Sequence, residues 1–262
     1  MSDVPVLYAA SGGIGRITLN RPRSQNSLDA AAAREFLKIL DGAARDPAIR
    51  VVVLGANGRS FCAGGDFNWV LTWPGRSQSE RNEGAQVLSD AVQALYDFPK
   101  PTIARVQGAA VGGGVGMMLA CDWAIGSDRA RIGLTSVRNG LLAGIAISVL
   151  IQAVGARVAR QLLTHGGVHP ADAALRMGLL DRVVAEAELD SAVDALAGDL
   201  MLGAPDVQAL IKTLVTDLDA APCDQKAADM IAGHVASQAN GAEAQEGMAA
   251  FLGKRRARWV PT

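Results

Sequence analysis

The segments Phe61-Cys62-Ala63-Gly64-Gly65-Asp66 and Gly108-Ala109-Ala110-Val111-Gly112-Gly113-Gly114-Val115-Gly116 are glycine-rich turns, and they carry the clearest chemical signal in this chain. Each follows a short apolar run, Val51-Val52-Val53-Leu54 before the first and Thr102-Ile103-Ala104-Arg105-Val106 before the second. Such runs read as buried strands, which puts both turns at a strand's carboxyl end, leading into a helix. Glycine lets the backbone approach a ligand closely, and the opening turn of a helix leaves N–H groups unpaired. Two turns of this kind that converge form an oxyanion hole, where one preorganised donor is worth about 10²–10³ in rate. The chemistry implied is that of a carbonyl becoming an enolate or a tetrahedral oxyanion. The alternative is a pair of plain tight turns. Other glycine motifs do not fit, because no Gly-Lys-Ser/Thr closes the second turn and its spacing departs from G-x-G-x-x-G with an acid on the next strand.

Other chemically capable residues read more plainly. Asp66 could be a catalytic carboxylate, but an Asp opening a helix more often caps orphan N–H groups. Asp122 reads as a brace for a turn, and Glu80 and Glu83 as solvated acids that could also come from a lid. His165, His169 and His234 read as surface or capping residues. Cys62, Cys121 and Cys223 are odd in number, widely spaced and without companion histidines, so they read as small core residues; neither a disulfide framework nor a metal site is expected.

The elements that must hold the turns follow from pattern. Residues 4–20 alternate around Ser11-Gly12-Gly13 as a hairpin does, and Asp29 caps an alanine-rich helix carrying Phe36, Leu37 and Leu40 that stops near Asp46-Pro47. Residues 66–86 hold Trp69, Trp73 and Pro74-Gly75 with poor periodicity, which reads as a lid or pocket wall; a helix is expected over Val87–Leu95. Val115–Cys121 reads as a tightly packed helix, and Trp123-Ala124-Ile125 and Ala130-Arg131-Ile132-Gly133 as short strands. Pro170 is placed in the first turn of a later helix with Gly178 past its end. Asp181-Arg182-Val183-Val184 is a last strand, and 186–252 is helical. Strands alternating with helices make an α/β core over residues 1–185, with a helical region over 186–262.

Composition bounds the rest. At 262 residues, 50% hydrophobic, the chain can bury a sizeable core. With 25 basic against 26 acidic residues, no field attracts nucleic acid or an anionic membrane surface. No signal layout is read at the amino terminus and no apolar run of membrane-spanning length, so a soluble, cytoplasmic protein is expected.

In its motifs the chain resembles the enoyl-CoA hydratase/isomerase, or crotonase, superfamily. The matching segments are Ile17-Thr18-Leu19-Asn20-Arg21-Pro22 with Asn26-Ser27-Leu28, the first glycine turn, Lys100 to Gly108, Gly112-Gly113-Gly114, Ala120-Cys121-Asp122, Ala171 to Val184, and Glu246 to Trp259. Asp66-Phe67-Asn68-Trp69 and the Gly-Val-Gly end of the second turn are nearest in pattern to bacterial methylglutaconyl-CoA and other branched-chain enoyl-CoA hydratases. The resemblance implies a crotonase (ClpP-like) spiral of ββα units with a helical C-terminal trimerisation region, assembled as a homotrimer or dimer of trimers. It also implies a site in which the amides of Gly65 and Gly113 hold an acyl-CoA thioester oxygen. The CoA, part of the substrate rather than a resident cofactor, would pass Gln25, Ser27, Ala63, Asp66 and Phe67, and meet Phe251 and Lys254 across a subunit interface.

The resemblance also exposes a break. Hydratases of this family use two glutamates to position and split water, and here those positions hold Gly116 and Ser136. General acid–base catalysis supplies about 10²–10⁴, which a serine hydroxyl cannot replace near neutral pH. Ser136 as a covalent nucleophile would need a histidine within reach. The expectation is an enzyme that still stabilises a thioester enolate, with two alternatives: a glutamate-independent decarboxylase or hydrolase, or a catalytically silent acyl-CoA binder. Arg138 would bind a substrate carboxylate if it points inward, and otherwise joins a surface ion pair.

Overall fold

The computed structural model describes residues 4–219 and 222–261. The expected hairpin forms from β1 (Val6–Ser11) and β2 (Ile14–Leu19). Asp29 caps α1 (Ala30–Arg45), its carboxylate accepting the Ala32 N–H at 2.9 Å. After β3 (Val51–Ala56) come α2 (Phe67–Val70) and α3 (Gln78–Tyr96), then β4 (Thr102–Val106), β5 (Ala109–Val111) and α4 (Gly113–Leu119). Next are β6 (Trp123–Ser127), β7 (Arg131–Gly133), α5 (Gly144–His165), β8 (Val168–Pro170), α6 (Ala171–Arg176) and β9 (Arg182–Val184). The chain finishes with α7 (Leu189–Leu200), α8 (Pro205–Asp219), α9 (Gln225–Ala239) and α10 (Ala242–Leu252).

The strands form one sheet in the order β1-β2-β3-β4-β6-β9, parallel except for the hairpin, and a second in the order β5-β7-β8. The apolar run of β3 is continuous because both of its faces are covered. Val51 and Val53 face one way, with Ile103 and Ile125, onto Leu189, Val193 and Ala197 of α7. Val52 and Leu54 face the other way, with Ala104 and Val106, toward Phe36 of α1, Leu95 of α3 and Met117 of α4. Each such side chain taken out of water contributes about 1.5–3 kcal/mol.

The chain repeats one unit: a strand in the large sheet, a strand or bridge in the small one, then a helix. β3 is followed by Cys62, which bridges Ala110, and by α2 and α3; β4 is followed by β5 and α4, and β6 by β7 and α5. The expected spiral of ββα units is therefore what the sequence folds into. Stacking the units brings the turn after each large-sheet strand to the same end of the molecule.

Several expectations need correction. The segment 66–86 is not irregular throughout, because α3 begins at Gln78, where Ser77 and Glu80 form a reciprocal capping box. Its first turns are polar and exposed, which hides their periodicity. α4 begins at Gly113 rather than Val115, so the second glycine run is itself the helix start. Pro170 is the residue that caps α6, not a residue of its first turn, and it also ends β8, which the sequence pattern does not show. Cys223 is exposed rather than buried. α5, by contrast with the reading of no apolar run long enough, has the length and composition to cross a membrane, with a mean hydropathy of 1.3; it buries Ala146, Val149, Leu150, Ala159 and Leu162 in the core.

Candidate active site

The two glycine turns meet. The Cys62 carbonyl accepts the Val111 N–H at 2.8 Å, and the N–H groups of Phe61 and Cys62 both reach the Ala109 carbonyl. Gly64 has φ +88°, and a Cβ there would lie 2.7 Å from the Val111 oxygen and 2.8 Å from the Gly113 nitrogen. Only glycine permits this contact, both for its positive φ and for the space. Among the described residues, no acceptor takes the N–H of Gly65 or of Gly113. Gly113 is moreover the first residue of α4, where N–H groups lack intrahelical partners and the helix dipole favours negative charge.

Both glycines open onto one cavity of about 310 Å³. Its other polar walls are the hydroxyls of Ser89 on α3 and Ser136 in the 3₁₀ turn Thr135–Asn139. Most of the remainder is apolar, including Phe67, Leu88 and Ile145; Trp73 also lines it, and its buried indole N–H has no hydrogen-bond partner among the described residues. Leu88 sits beside Gly65, and the Ile145 side chain beside Gly113. A cavity of about 390 Å³ between the end of α4 and α8, lined by Leu119, Ile211 and Val215, touches neither turn. The smaller cavity is therefore the candidate site. Below it, Cys62 is fully enclosed, and burial pushes its thiol up to about 11, so it offers no thiolate at neutral pH.

Comparison with known proteins gives this cavity its context. The model of the enoyl-CoA hydratase/isomerase family matches residues 9–261. The chain belongs to the enoyl-CoA hydratase/isomerase family. It is 35% identical to the (E)-benzylidenesuccinyl-CoA hydratase of Thauera aromatica, over 82% of this chain and 84% of that one. Its structure is similar to a crystal structure of an enoyl-CoA hydratase from Shewanella pealeana, with TM-score 0.94, 29% identity, and 98% and 97% of the two chains covered. An enoyl-CoA hydratase/isomerase from Marinobacter aquaeolei matches with TM-score 0.92 at 26% identity, covering 98% and 99%.

Within this enoyl-CoA hydratase/isomerase framework, the residues expected along CoA divide into groups. Phe67 lines the cavity and is half exposed. Gln25, Ser27, Ala63 and Asp66 build the neighbouring loop: the Gln25 carbonyl takes the Ala63 N–H at 3.0 Å, and the Leu28 carbonyl takes the Asp66 N–H at 2.9 Å. Asp66 is the cap that its position suggests, its carboxylate accepting the N–H groups of Asn68 and Trp69. Its other oxygen takes Arg21 at 2.9 Å, while the same guanidinium bonds the Ser27 carbonyl and pairs with Asp29. Arg21 thus ties the loop to the first glycine turn, a role the motif alone did not show. Phe251, 83% exposed, and Lys254, just past α10, do not line the cavity.

Gly116 and Ser136, the two positions that the resemblance pairs with glutamates, differ from each other. Ser136 lines the cavity, its hydroxyl turned toward Gly112. Gly116 is buried against α5, where a Cβ would lie 3.1 Å from the Ile145 carbonyl and 3.2 Å from the Ala146 Cα. Among the described residues, no carboxylate or imidazole lines the cavity: Glu80 serves the α3 capping box, and Glu83 is exposed on the same helix. Arg138 does not point inward; it is exposed and reaches the His165 carbonyl at the end of α5. The described residues include no cluster of three or more His, Cys, Asp or Glu that could hold a metal. Ser89 lies inside the helix expected over Val87–Leu95, but that it lines the cavity beside Leu88 and Ala85 follows from how α3 packs, which the sequence pattern does not give.

Proposed function

We propose that the chain binds an acyl-CoA thioester with its carbonyl oxygen between the N–H groups of Gly65 and Gly113, and stabilises the enolate formed there. The observation that supports this reading is the pair of acceptor-free N–H groups, one at a helix start, opening onto the same apolar cavity. Negative charge gathering on the oxygen as the enolate forms strengthens both bonds, so they favour the transition state over the bound substrate. The Ser89 and Ser136 hydroxyls can orient a water or a substrate oxygen but cannot take a proton from carbon near neutral pH. The reaction is of the hydratase/isomerase type, with proton transfer left to water and slower for lack of both glutamates by about 10²–10⁴. Arg138 faces outward, so it is not placed to bind a substrate carboxylate in this cavity.

The same reading assembles the chain as a cytoplasmic homotrimer or dimer of trimers. Residues 1–185 form the spiral core and residues 186–262 the trimerisation region. Its support is the apolar surface of the last helices, where Ile211, Val215, Met230, Val235 and Leu252 are all exposed. Phe251 and Lys254 would then meet CoA bound to a neighbouring subunit.

The test is calorimetric binding of crotonyl-CoA, followed by its hydration, with native protein and Ser136→Glu. Binding by both and a gain of about 10² or more in hydration by the variant is expected. Rapid hydration by the native protein would overturn the importance of the missing acid. Failure to bind would overturn the acyl-CoA reading, and binding without turnover in either protein would favour a silent binder.

A further inference from the structure

Gly84 is the first buried residue of α3, one position before the cavity-lining Ala85, and its lack of a side chain is explained by its neighbours. A Cβ on Gly84 would stand 3.0 Å from the Trp69 ring and 3.4 Å from the Trp73 ring. The two indoles meet edge to face, with centroids 5.2 Å apart and planes at 90°. Trp69 packs against the main core, so it braces its partner, and Trp73 is left forming part of the cavity wall. Along α3 this seat lies four residues, about 6 Å, before Leu88, which packs beside Gly65. A rigid aromatic wall therefore stands a short distance from the carbonyl clamp. Among the described residues, no charged side chain lines this cavity.

We propose that Trp73, braced by Trp69 over Gly84, sets the acyl length this cavity accepts, and that the cavity selects short, uncharged, apolar acyl groups. The inference rests on the reading that the cavity holds an acyl-CoA thioester. An acyl carboxylate would lose its water here with no cation to meet it, which disfavours it strongly. A long chain would meet Trp73, whose ring is backed by the edge of Trp69 and by the α3 backbone at Gly84.

The test is calorimetric affinity for acetyl-, butyryl-, octanoyl- and malonyl-CoA, using native protein, Trp73→Ala and Gly84→Val. Native protein is expected to bind butyryl-CoA at least about tenfold more tightly than octanoyl- or malonyl-CoA. Trp73→Ala should reverse the preference between butyryl- and octanoyl-CoA. Gly84→Val, which pushes the rings toward the cavity, should shift preference toward acetyl-CoA, and it supplies a second readout if Trp73→Ala fails to fold. An unchanged chain-length ranking in both variants overturns the length limit, and malonyl-CoA binding on a par with butyryl-CoA overturns the charge selection. Failure of the native protein to bind any of the four overturns the acyl-CoA reading itself.

Discussion

Gly64 and Gly116 are both places where a missing side chain is a structural requirement, and they lead to different experiments. Gly64→Ala combines a φ of +88° with contacts under 3 Å to the opposite turn. It should cost about 1–3 kcal/mol of stability in urea denaturation. It should also weaken acyl-CoA binding beyond that cost, because separating the turns moves both donors; affinity unchanged in the folded variant would contradict their convergence on the ligand. At the acid positions, Ser136→Glu adds a side chain beside open space, whereas Gly116→Glu must displace the backbone of α5 at Ile145 and Ala146. Thermal melts should show Ser136→Glu close to native and Gly116→Glu several degrees lower, as overpacking costs about 1–3 kcal/mol. Equal melting temperatures would show that α5 yields readily.

At the scale of elements, α2 depends on its cap. It is one turn long and marginal by itself, yet it carries Phe67 and Val70 to the cavity wall. Asp66 holds its first N–H groups and at the same time pairs with Arg21, which is bonded to the Ser27 carbonyl of the neighbouring loop. Asp66→Ala should cost about 0.5–2 kcal/mol and weaken acyl-CoA binding. Asp66→Asn keeps an acceptor for the cap but loses the ion pair, so it should recover most of the stability; equal losses for the two would assign the effect to the ion pair. The start of α3 shows what pattern reading misses. The capping box at Ser77 and Glu80 is local and legible, but the polar turns that follow give no apolar period until Gly84 and Val87.

At the scale of the whole molecule, the C-terminal segment is tied back to the core by polar anchors rather than by burial. Arg50 donates to the carbonyls of Gly203 and Trp259, and the Trp259 indole N–H to Leu202. Glu246 pairs with Arg255 and accepts the Arg258 N–H, and these partners hold its carboxyl down at about 2. Because that value is depressed from an unfolded one of about 4.3, its contribution is complete above about pH 4.3 and is lost as pH falls from there toward 2. Hydrogen exchange at residues 253–261 should therefore lose protection over that acid range before the sheet does. Protection that falls in step with the sheet would mean that Glu246 does not govern the tail.

The sequence by itself determined the strand and helix alternation, the two glycine turns and the caps at Asp29 and Asp66, because these follow from local sterics and from which side chains must leave water. It also determined that Gly116 and Ser136 carry no carboxylate, since identity needs no coordinates. Which donors converge, and what surrounds them, was decided only by tertiary structure. Gly64 against Gly113, Ser89 facing the same space as Ser136, Arg138 turned out to solvent, and Trp73 stacked over Gly84 are contacts between residues distant in the chain or on different elements. Such contacts are fixed by packing of whole units, which no local pattern records.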